Sequence, residues 1–174
     1  DWNEQQSILR HHAETQLVDV VGASGAPVHD AGFKLTTDGA KVTIGPGRYY
    51  VGGLLCENPV AVDYQGQPDY PGAPDLGALF ATAGVASAIF YLEAWRRPVT
   101  GLEDPDIREV ALGGADTAIR LKTVWQVKVL PVKPPAAGGV TCSARLGEWD
   151  QLLTPTTGLM SAREFLTLAQ NWRV

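Results

Sequence analysis

Cysteine is scarce in this chain: two among 174 residues, Cys56 and Cys142, far apart in sequence. Neither has histidine or cysteine at ligand spacing beside it, which argues against a zinc site. Two buried or half-buried thiols are a simpler reading than a disulfide. Charge is also thin. Asp, Glu, Lys and Arg make up 19% of the residues and the net charge is -5. A protein that neutralises phosphates is usually basic, so nucleic acid is not expected as the main partner. No apolar run approaches the roughly 18 residues of a membrane span. The longest, Leu76 to Leu92, is broken by Gly77, Thr82, Gly84 and Ser87. There is no GxxxxGK[ST] phosphate loop, no GxSxG nucleophile elbow and no internal repeat, and no cofactor is expected. The chain opens at Asp1 rather than Met, which reads as an excised or processed piece, so secretion is not judged from it.

What is present is a composition that folds. Hydrophobic residues make up 45%, and 174 residues can bury a core without staples. The 19 Gly and 12 Pro favour short elements and many turns over a helical bundle. Residues 3–21 read as a helix, with Asn3 as cap, Gln6 in the capping-box position and Gly22 as the stop. It carries two neighbouring stripes, one through Ile8, His12 (or His11), Thr15 and Val18, the other through Leu9, Ala13, Leu17 and Val20. Such a helix is suited to packing on a sheet or on a neighbouring copy.

Phe33, Leu35 and Thr37 alternate with Lys34 and Thr36, Asp38-Gly39 is a turn dipeptide, and Lys41 to Ile44 alternates again. That spells a hairpin over 32–44. Strands follow at 48–51 and 54–57, with Gly52-Gly53 as a bulge or a close backbone approach. Short links between them imply an antiparallel meander. The Pro- and Gly-rich stretch 58–75 reads as a long loop. Strands are expected again over 85–95, running on towards Val99, and over 119–132. A short helix is expected over Ser161 to Trp172, with Ser161 and Glu164 forming a capping box. The fold class is α+β, mainly an antiparallel β meander or sandwich, with an N-terminal helix and a short C-terminal one. Residues 1–132 form the main domain, followed by a Pro/Gly linker and C-terminal segment over 133–174.

Few residues suggest chemistry. His11 and His12 are adjacent on a helix, about 100° apart, so they do not face one metal together as i, i+4 histidines would. His29 is alone in a loop. The acidic run Glu103-Asp104-Pro105-Asp106 could hold a cation, but acidic loops are usually solvated and no calcium-loop pattern is present. The preferred reading is an Arg–carboxylate network that fixes an irregular loop, drawn from Arg96, Arg97, Glu103, Asp104, Arg108 and Asp116, with Arg120 close in sequence. No metal site is therefore expected, and no catalytic set is evident. Tyr64 and Tyr70, the large apolar groups of the 58–75 loop, are the candidate ligand contacts, for instance to a glycan.

Several phrases carry a family resemblance. They are Asp1-Trp2-Asn3-Glu4-Gln5; Gly47 to Val51 with Gly53 and then Cys56-Glu57-Asn58; Tyr91-Leu92 with Trp95; Val99-Thr100 through Leu102-Glu103-Asp104-Pro105, Ile107-Arg108-Glu109 and Ala111-Leu112-Gly113-Gly114 to Asp116-Thr117-Ala118; and Thr123-Val124-Trp125-Gln126-Val127. Over roughly residues 1–130 the chain resembles a bacterial domain family of unassigned function, of the DUF6519 type. Members of that family normally carry a segment upstream of the Asp-Trp-Asn-Glu phrase, and beyond Val132 the resemblance fades. Family members occur near genes for phage-tail-like contractile injection systems.

The resemblance implies a particle component made in the cytoplasm and built into the particle. Its expected partners are other particle proteins and further copies of itself. The expected function is a structural or assembly part: baseplate, fibre or adaptor. The alternative is a receptor- or glycan-binding module of such a particle. A hydrolase using Glu93, Glu103 or Asp104 comes third, since paired carboxylates need a set separation across a cleft.

Overall fold

The structure is a computed structural model that describes residues 1–39, 41–81, 87–115, 117, 119–133 and 144–153, and the backbone of 170–172. It opens with helix α1 (Trp2–Val21). The cap is Asp1, whose Oδ1 accepts from the Asn3 N–H, so the helix begins two residues before the position that Asn3 suggests. Both residue types cap well, and the turn geometry decides between them. Gly22 ends the helix, its N–H returning to the Val18 carbonyl. No residue of α1 is buried.

The strands that follow are antiparallel but fall into two sheets rather than one meander. β1 (Ser24–Gly25) pairs with β4 (Gly47–Val51), which pairs with β5 (Leu54–Asn58). β2 (Leu35–Thr37) pairs with β3 (Val42–Ile44), which pairs with β6 (Val62–Asp63). The division comes at Gly45-Pro46-Gly47, where the chain turns under Gly32 instead of doubling back along β3. A side chain on Gly32 would meet the Gly47 carbonyl carbon at 2.2 Å, and Gly47 itself has φ +123. Only two glycines allow that crossing. The β2–β3 hairpin turns as its sequence demands: the Asp38 carboxylate accepts from the Lys41 N–H. Gly52 and Gly53, both at positive φ, make the two-residue β4–β5 turn.

The third sheet is a long ribbon. β7 (Ser87–Val99) and β8 (Arg120–Val132) pair along their full length, from Ser87 against Val132 to Val99 against Arg120. Alternation gives the ribbon two faces. Phe90, Leu92, Ala94, Trp125, Val127 and Val129 face the main core, with Phe33, Leu35, Ile44, Val51, Leu54, Cys56 and Tyr64. Ile89, Tyr91 and Val132 pack on the opposite side against Leu146 and Trp149, the latter on helix α3 (Gly147–Leu153). Helix α2 (Leu76–Ala81) was not foreseen; Asp75 Oδ1 caps it, accepting from the Gly77 N–H. β9 (Gln170–Trp172) adds to the far edge of β7. The helix expected over 161–172 therefore ends in a strand, and residues 161–169 lie outside the described residues.

Two buried amides join the three sheets. Asn58, in β5, donates to the carbonyls of Ile44 and Gly45 at the end of β3. Gln67 follows β6 and a 3-10 turn, and is 3% exposed. Its Nε2 donates to the carbonyls of Tyr64 and Val127, and its Oε1 accepts from the Val127 N–H at 2.7 Å. Gln67 thus imitates a paired strand on the outer edge of β8. Replacing it with Met keeps the length and removes three hydrogen bonds, leaving buried backbone groups unpaired. The expected loss is about 2–4 kcal/mol of unfolding free energy, read by urea denaturation.

Candidate functional site

The loop that carries Gln67 wraps the edge of β8, so its two tyrosines part company. Tyr64 is 1% exposed and stacks edge-to-face on Phe90 in the main core. Burial, first of all, pushes its hydroxyl well above the usual tyrosine range. Tyr70 comes out on the opposite face and stays half-exposed, with Lys128 Nζ 5.7 Å from its ring centroid. There it joins a polar strip on the outward face of the ribbon. Lys128 pairs with Glu93, Lys122 with Asp69 at 3.2 Å, and Gln126 donates to the Asp69 carbonyl. Tyr91, alongside, is pushed up to about 12 by burial and then by Glu93 and Tyr70.

The strip runs on to the ribbon tip. Arg97 donates to Glu103 at 2.7 Å and approaches Asp69 at 3.8 Å. Arg108 Nε donates to the Gly101 carbonyl, and Asp104 Oδ1 accepts from the Asp106 N–H as the cap of a 3-10 turn, Pro105–Ile107. Arg96 points to the other face and pairs with Glu14 of α1. Asp116 lies outside the described residues. Of the six charged residues expected to fix this loop, Arg97 and Glu103 pair with each other. Arg108 and Asp104 bind its backbone instead, and Arg96 anchors the helix.

Each charged group on the strip has a partner from a neighbouring segment. Such an arrangement fastens the 64–70 loop and the tip to the ribbon. The three candidate carboxylates are engaged separately, Glu93 by Lys128, Glu103 by Arg97 and Asp104 by backbone. Among the described residues, no three His, Cys, Asp or Glu side chains are close enough to hold a metal. Cys56 is a free thiol in the core, and burial pushes it up to about 12; Cys142 lies outside the described residues.

What the sequence reading passed over is the exposure of the tip. Between the strands the chain makes an excursion that holds Leu102, Val110, Leu112 and Ile119 out to solvent, with Leu121 at the foot of β8. Leu102 is 85% exposed and Val110 87%. The excursion is nonetheless built. Ile107 is buried, Glu109 N–H donates to the Ala115 carbonyl, Gly114 N–H returns to the Glu109 carbonyl, and Gly113 closes a second 3-10 turn in the left-handed region. The chain signal was there in Leu102, Val110 and Leu112, apolar residues among acids and turn formers.

The Arg97 hydrogen bond holds the Glu103 carboxyl below the usual glutamate range. A lowered folded value means the clamp stabilises above the ordinary glutamate pKa and is lost as pH falls through the lowered one. An NMR titration should give Glu103 a midpoint below that of an ordinary glutamate, rising on Arg97→Gln. In a Cys142→Ser chain, a thiol reagent should leave Cys56 unmodified until the core unfolds, because the thiolate is the reactive form.

A family model described as a family of unknown function, DUF6519, matches residues 1–138. No curated protein and no solved structure gives a significant match. The match takes in α1, both small sheets, the polar strip and the whole ribbon with its tip, and on that basis this chain belongs to the DUF6519 family.

Proposed function

We propose that this chain is a structural or assembly component of a phage-tail-like contractile injection particle, as baseplate, fibre or adaptor, and that its work is contact rather than turnover. The observation that carries the reading is the ribbon tip: a loop stiffened by its own hydrogen bonds that keeps Leu102, Val110 and Leu112 in water. Single exposed apolar residues are ordinary, but several on one rigid excursion suit a partner that covers them. The particle context rests on the resemblance of the quoted phrases, and the saturated polar strip supports it by leaving its carboxylates engaged. Synthesis in the cytoplasm and incorporation into the particle follow from the same reading. The glycan-binding alternative now leans on Tyr70, since Tyr64 has almost no surface to offer.

The test uses particles sedimented from producing cells. The chain should sediment with the particle. Val110→Asp with Leu112→Asp should leave it in the soluble fraction, while unfolding free energy stays within about 0.5 kcal/mol, as for exposed sites. A chain that never sediments with particles, or a double variant that still does, overturns the proposal.

A further inference from the structure

The outermost strand of a sheet presents a row of unpaired N–H and C=O groups, and proteins cover or block such edges. In an antiparallel ribbon every second residue turns both its N–H and its C=O outward. Val127 bonds outward, to Gln67, and β8 pairs with β7 one to one from Arg120 to Val132. The outward positions of β8 are therefore Leu121, Thr123, Trp125, Val127, Val129 and Pro131. On β7 they run from Phe90 and Leu92, which β9 pairs, to Pro98.

Both edges are guarded over much of their length. Pro131 and Pro98 each stand at an outward position, where a missing N–H removes no bond between β7 and β8. Gln67 takes both groups of Val127, and the Tyr64 hydroxyl lies beside Val129. Trp125 is tied to β5, its Nε1 donating to the Glu57 carbonyl. Towards the tip the guard on β8 stops. Among the described residues, nothing bonds the outward N–H and C=O of Leu121 and Thr123. Leu121 is 55% exposed and Thr123 half-buried, and no proline blocks either position.

The open groups name their occupant. Donors and acceptors repeating at strand spacing are matched by another extended backbone, the mode of strand addition. The flanking side chains set its sequence. Leu121 and Ile119, the latter 69% exposed, offer apolar surface. On the opposite face of the strand Lys122 already has Asp69, whereas Arg120 is exposed and, among the described residues, has no acidic partner. A second copy fits poorly. Pairing two of these edges antiparallel brings Arg120 and Lys122 of one chain near the same residues of the other, and like charges across strands are destabilising.

We infer that the β8 edge at Leu121 and Thr123 is a strand-addition site for an extended segment of a partner protein, one that alternates apolar and acidic residues. The inference rests on the contact reading above and supplies its mode.

In the purified chain, the amides of Leu121 and Thr123 should exchange with deuterium faster than those of Lys122 and Val124, which face β7. Slow exchange at both outward positions means that the edge is already covered, and overturns the inference. The binding probe is the sedimented particle fraction. Thr123→Pro removes an outward donor alone, as the native Pro131 does, so it should keep the urea midpoint and yet leave the chain in the soluble fraction. Thr123→Val, which keeps the backbone donor, should sediment as the parent does. Leu121→Pro repeats the test nearer the tip, and loss of the fold in both proline variants overturns the inference. Arg120→Glu should lower the salt concentration that strips the chain from the particles, and an unchanged salt response overturns the acidic assignment. Proline variants that still sediment overturn strand addition and leave the contact reading standing. A parent chain that never sediments overturns both.

Discussion

A single carboxamide holds the architecture in register. Gln67 satisfies both backbone groups of Val127 on the outer edge of β8 and the carbonyl of Tyr64 behind it. That one contact fixes where the loop crosses the ribbon edge. Crossing there is what sends Tyr64 into the core and brings Asp69 and Tyr70 out on the opposite face. Asn58 does the equivalent between β5 and β3. Small sheets of three strands have little core of their own. Buried amides hydrogen-bonded across the gaps join them and also specify which edges meet, because an unpaired buried polar group is costly.

The ribbon that Gln67 grips is used on both faces, and its two faces differ in kind. One supplies the wall of the main core, including Trp125, whose ring packs edge-to-face on Phe33 at 4.8 Å while its Nε1 donates to the Glu57 carbonyl. The other is half apolar, under Leu146 and Trp149, and half a chain of ion pairs. The ion pairs lie in partly exposed positions, where each contributes little alone. Their value lies in orientation: together they fasten a loop and a tip that have little core to hold them.

Much of this was legible from local pattern. The hairpin at 32–44 follows from Asp38-Gly39 between alternating runs, and β7 and β8 follow from the contrast of their two faces. The Gly53 approach was legible as well, since paired glycines at a turn mark a place where no side chain fits; here the Glu14 carbonyl lies 2.7 Å from where a Cβ would be. What was not legible depends on distant partners. Nothing local tells Gln67 from an ordinary loop glutamine, or Tyr64 from Tyr70, because burial is decided by an edge sixty residues away in Val127. The parting of β3 from β4 is also non-local, since Gly45-Pro46-Gly47 reads as a hairpin turn until Gly32 is seen beneath it. Two overlapping apolar stripes on α1 left its facing unresolved. The helix meets the body between them, through Glu14 and Val21, and leaves most of both exposed.

The support of α1 has a mechanical side. Arg96, Gly53 and Gly25 all grip its second half, at Glu14 and Val21. Trp2 lies twelve residues before Glu14, about 18 Å along the axis. The amino-terminal half is therefore a cantilever with its fulcrum on a bare peptide at Gly53. A few degrees of tilt there would sweep Trp2 through more than an ångström, so small adjustments of the β4–β5 turn are magnified at the far end of the rod.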